Sequence, residues 1–118
     1  MLSLLRGGLV LACALGLAAC SSMITGGDLI RPGEATGTIE VYNDTSNDFH
    51  AVLISECSAS TYGLNRMADG EVIPPGGSRQ FTVSAGCWDV DAGTLGVGEA
   101  RMRMTVDAGG LTRYTVTG

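Results

Sequence analysis

The sequence predicts an all-β fold, a small antiparallel β-sandwich of about seven strands, and three observations carry that expectation. Glycine is abundant, at 18 of 118 residues, aromatics are few, and Val and Thr are frequent after residue 36, a composition suited to short strands and tight turns. Strand-like runs alternate with turn signals at short intervals over residues 38–118. Residues 99–107 alternate polar with apolar at every step, which is the period of a half-buried strand.

Residues 1–19 are read as a targeting segment. Arg6 supplies an early positive charge, and the apolar run 7–19 is too short for the roughly 20 residues that a lasting transmembrane helix needs, so it is the core of a signal peptide. The run closes on Leu17-Ala18-Ala19-Cys20, small residues before a cysteine, which resembles the lipobox of bacterial lipoproteins. That resemblance implies cleavage before Cys20 and acylation of Cys20, with palmitate among the chains, so that membrane lipid is the first partner. Burial of each methylene contributes about 0.8 kcal/mol, and two or three chains make such an anchor effectively permanent. Ser21 follows the cysteine where an aspartate would imply inner-membrane retention. By that family rule the protein belongs to the cell envelope, lipid-anchored on the outer membrane and facing the periplasm. Cys13 is discarded with the signal.

Residues 20–37 read as the lipidated N-terminus and a tether, with several glycines, Pro32 and no strict period. About 16 flexible residues have an r.m.s. reach of roughly 20 to 25 Å. Met23, Ile24, Leu29 and Ile30 are too apolar for a fully solvated linker, so part of the tether is expected to pack on the domain.

The domain, 38–118, opens with a strand at 38–43 and a polar turn at 44–47. A second strand at 48–55 is apolar on both faces and therefore central. Residues 56–70 form a longer connection with room for one helical turn at 62–67, too short to stand alone. A brief strand at 71–73 enters Pro74-Pro75-Gly76-Gly77, a strong turn signal. Strands at 78–85 and 87–92 follow, separated by Gly86. The strands at 99–107 and 111–117 are expected to form a terminal hairpin, with Thr112, Tyr114 and Val116 on one face. Cys57 and Cys87 are the two cysteines of the mature domain, and in an oxidising compartment they are expected to be bonded. Closing that loop contributes about 3 to 4 kcal/mol in the chain-entropy description. Trp88, beside the bridge, packs over it or into the core.

The string Ile73-Pro74-Pro75-Gly76-Gly77-Ser78, then Phe81-Thr82-Val83, then Gly86-Cys87-Trp88-Asp89-Val90 resembles a recurrent pattern in small exported β-sandwich domains, with Val41-Tyr42-Asn43-Asp44-Thr45 matching their opening strand and turn. The resemblance covers roughly residues 38–92. It implies the fold and is nearly silent on activity.

Charge and side-chain chemistry narrow the function. Of seven basic residues, all arginine, Arg6 lies in the signal, leaving six against twelve Asp and Glu. Nothing in that surface neutralises phosphates, so nucleic acid is not an expected partner. Nucleophilic catalysis needs a base, and the single histidine, His50, sits mid-strand two residues after Asp48 with no Gly-x-Ser-x-Gly elbow anywhere. No catalytic residue is assigned and no enzyme is expected. Met102 and Met104 share a strand face, with Met67 and His50 as conceivable copper(I) co-ligands, but methionine on the apolar face of an alternating strand is ordinarily core filler. Residues 43–48 offer oxygen ligands without the loop length and closing glutamate of an EF-hand, so they read as a turn. No metal and no cofactor is expected. Arg101 and Arg103, on the polar face of their strand, are the candidate binding surface. The expected function is a membrane-anchored, non-catalytic binding or structural module whose partner is an envelope protein or cell-wall component. The alternatives are an inhibitor of a hydrolase such as lysozyme and an assembly lipoprotein of a secretion system.

Overall fold

A computed structural model describes residues 27–118, so the signal segment and Cys20 lie outside the described residues. Six strands follow one another, β1 (Thr36–Asp44), β2 (Ala51–Glu56), β3 (Ser78–Ser84), β4 (Gly86–Thr94), β5 (Gly98–Val106) and β6 (Leu111–Thr117). They form two three-stranded sheets, ordered β3-β1-β6 and β2-β4-β5. The described residues form an all-β domain without a helix.

Period-2 alternation decides what each strand buries. Ile39 and Val41 of β1, Phe81 and Val83 of β3, and Tyr114 and Val116 of β6 face Val52 and Ile54 of β2, Trp88, Val90 and Ala92 of β4, and Met104 and Val106 of β5 in one core. Burying each such large apolar side chain contributes on the order of 1.5 to 3 kcal/mol. Trp88 is fully buried in this core and donates from Nε1 to the Ser84 carbonyl at 2.8 Å, so it packs inward and not over the disulfide. The chain passes from one sheet to the other through Ala85 alone. Gly86, at φ 143°, makes that corner in a region that L side chains rarely adopt. Sheet two holds a true hairpin, β4–β5. There Gly93 is required, because a Cβ on it would lie 2.0 Å from the Gly98 carbonyl oxygen.

Three expectations are corrected. The seventh strand, at 71–73, shrinks to a single bridge between Phe49 and Ile73, since Pro74 and Pro75 cannot donate to a ladder. Strands β5 and β6 are not a hairpin. They lie in opposite sheets, and β6 pairs parallel with β1, so one of the four pairings is not antiparallel. The connection is held to β1 instead, by Gly109 N–H to the Thr36 carbonyl (2.8 Å) and Thr38 N–H to the Gly110 carbonyl (2.9 Å). In that position Tyr114 and Val116 cover the core opposite β5, which a β5–β6 ladder would leave open. Residues 62–67 make no helical turn, because Asn65 and Arg66 are drawn to the free edge of β2. The Arg66 N–H donates to the Val52 carbonyl (2.8 Å), its guanidinium to the Ile54 carbonyl (2.7 Å), and the Asn65 amide to the His50 carbonyl (3.2 Å). This edge is thereby closed to a further strand.

The tether is shorter than its composition indicates. From Gly27 onward it is docked across the end of the domain that carries the β3–β4 corner. Arg66 donates to the Gly27 carbonyl (2.7 Å), Ser84 N–H to the Leu29 carbonyl (2.7 Å), Arg31 N–H to Ser84 Oγ (2.7 Å), and Ala85 N–H to the Ala35 carbonyl (2.8 Å). Leu29 packs on the core, and the Arg31 guanidinium pairs with Glu34 and Glu56 while lying over the Trp88 ring.

Candidate functional site

Two places combine chemistry with accessibility, the outer face of sheet two and the open mouth of the sandwich.

On the outer face, hairpin register sets Asp89 opposite Arg103 and Asp91 opposite Arg101. Arg103 grips Asp89 with two bonds of 2.9 and 3.1 Å. Arg101 reaches Asp91 at 3.3 Å and Glu99 at 3.8 Å, and lies 4.8 Å from the Tyr62 ring centroid. The two arginines expected to form a binding surface are thus each committed to an acidic neighbour, although both remain more than half exposed. The Cys57–Cys87 disulfide is formed as expected and joins directly opposed positions at the corner end of β2 and β4, with Cα atoms 5.5 Å apart.

Asp91 is the unusual member of this group. Its side chain is buried, and Oδ1 has no hydrogen-bond partner among the described residues. Burial pushes its pKa up, and a hydrogen bond shared with Glu99 raises it further. Glu99 is drawn down, first by that same bond and then by the Gly96 N–H. The two carboxyls thus shift in opposite directions, Asp91 toward its neutral form and Glu99 toward its ionised form. Arg101 lies between this carboxyl pair and the Tyr62 ring, contacting all three.

No family model, curated protein or solved structure matches this chain.

At the mouth, the 45–49 turn, the β4–β5 hairpin tip and the end of β6 surround a cleft of about 380 Å³. Its floor is Phe49, Ala92, Ala100 and Val116, and Asp48 and Glu99 stand at its rim. Leu95 and Val97 project from the hairpin tip, and Val97 is 86 % exposed. His50 is exposed beside it and bonds Thr94 Oγ1 through Nδ1 at 2.8 Å; among the described residues no further group engages its ring. A Thr–His contact without a third orienting residue does not make a triad. Among the described residues no three His, Cys, Asp or Glu side chains converge as a metal site. Met67 and Met104 are core residues, and Met102 is half exposed because β5 is an edge strand. Asn43 is a buried organiser of the turn and not an ion ligand: its amide donates to the Asn47 (2.7 Å) and Ile73 (2.9 Å) carbonyls, and its Oδ1 accepts from Thr45 N–H and Oγ1.

The sequence left Asp89, Asp91, Glu99 and the cleft unremarked. The first three were legible, since Asp-x-Asp and Arg-x-Arg flank the Gly93–Gly98 turn at matching parity. The cleft was not, because its walls come from three separated stretches of chain.

Proposed function

We propose that this protein is a lipid-anchored envelope lipoprotein whose domain is a non-catalytic binding or structural module, held by acyl chains on Cys20 to the outer membrane and facing the periplasm. The observation that carries the reading is Leu17-Ala18-Ala19-Cys20 at the end of a 1–19 apolar signal. Three further facts support it. The Cys57–Cys87 bond suits an oxidising compartment. The outer-face Arg101 and Arg103 are paired with Asp91 and Asp89 across the β4–β5 hairpin. Pinning of the chain from Gly27 leaves seven residue steps back to Cys20, at most about 25 Å of extended chain, so the anchored end of the domain stays close to the headgroups.

The reading is tested by growing cells with an alkyne analogue of palmitate and isolating the protein. Label on the Cys20 peptide of a chain that starts at residue 20 is the expected result. An unlabelled chain with an unmodified N-terminus contradicts it.

A further inference from the structure

The open mouth of the sandwich has the chemistry of a peptide-recognition site, and three independent features give the occupant its character. First, the cleft floor is apolar while its rim is acidic; Asp48 is exposed and has no ion-pair partner among the described residues, and no basic side chain lines the cleft. Complementarity therefore calls for a positive charge next to an apolar group. Second, Leu95 and Val97 stand exposed on the hairpin that overhangs the cleft, so apolar surface is available outside as well as inside it. Third, β6 is the outer strand of its sheet and runs directly into the cleft through Val116 and Thr117. Its outer backbone edge has no strand beside it among the described residues, whereas the β2 edge is capped by Asn65 and Arg66. An unpaired edge next to a pocket is the arrangement in which an extended segment adds as a strand and places one side chain in the pocket.

We propose that the mouth binds an extended basic polypeptide segment of a partner protein, which adds to the β6 edge and seats an apolar side chain in the cleft with an adjoining Arg or Lys on Asp48. The proposal rests on the envelope reading for its setting, because it names the partner of the displayed domain. The direction of display agrees with it: the docked segment from Gly27 lies at the corner end of the strands, and the cleft lies at the other, with the nine residues of β4 between them.

The test uses the full expressed chain purified in detergent and fluorescence anisotropy of labelled nine-residue peptides of alternating Val and Arg, with Val and Glu counterparts of equal length. The Arg peptide is expected to bind at least 10-fold more tightly than the Glu peptide. Asp48→Lys should weaken the Arg peptide at least 10-fold with an unchanged melting curve, since Asp48 is exposed. N-methylation of alternate peptide amides on the strand-pairing side should abolish binding. Equal binding of both peptides, binding of neither, indifference to Asp48→Lys, or indifference to N-methylation each overturns the proposal. These readouts do not depend on acylation, so their failure leaves the palmitate experiment to decide the anchor separately.

Discussion

Asn43 and Asp91 show how much individual polar residues contribute inside so small a core. Asn43 is itself buried and satisfies both of its amide hydrogens and its oxygen, so Asn43→Ala removes four hydrogen bonds, to the Ile73 and Asn47 carbonyls and from Thr45 N–H and Oγ1, and should lower unfolding free energy by about 2 to 4 kcal/mol in urea titrations. The sequence identified this stretch as a turn from its Asn and Asp content, but the reach of Asn43 to Ile73, thirty residues away, has no local signature. Asp91 makes a pH prediction of definite sign. Its pKa in the folded chain lies above the unfolded value, so the folded state binds the extra proton and stability falls as pH rises from the ordinary carboxyl pKa of about 4 through the raised value. Thermal melts should show the wild type losing ground to Asp91→Asn across that window, and the two converging below it. A gap that widens toward acid pH would contradict the raised pKa of Asp91.

At the scale of elements, the strands were legible where alternation was strict and the partners were not. Period-2 pattern located β1, β3, β5 and β6 within a few residues because burial on one face is a local property of the chain. Which strand lies beside which depends on how the two sheets close over Trp88, and nothing near residues 107–110 shows that β6 will pair with β1 instead of β5. The disulfide was readable by contrast, since two cysteines have one pairing. It ties β2 to β4 beside the corner that Gly86, Ser84 and the docked tether share. Replacing both Cys57 and Cys87 by Ser should therefore cost about 3 to 4 kcal/mol in denaturant melts while the strand content seen by circular dichroism persists. Loss of the β signal altogether would mean that the core does not stand without the bond.

For the whole molecule, the two ends of the sandwich are built differently. At one end the corner, the disulfide and the segment from Gly27 form a hydrogen-bonded base. At the other, the turn, the hairpin tip and β6 frame an acidic, apolar-floored cleft. On the charged outer face between them, Asp89 pairs with Arg103 and Asp91 with Arg101. The proposed function depends on an acyl anchor at Cys20. Fractionation of cells carrying the wild type and Cys20→Ser tests it most directly: the wild type should stay with outer membranes through a high-salt wash, and Cys20→Ser, if exported, should leave with the soluble fraction. A Cys20→Ser protein retained by salt-washed membranes as fully as the wild type would contradict it.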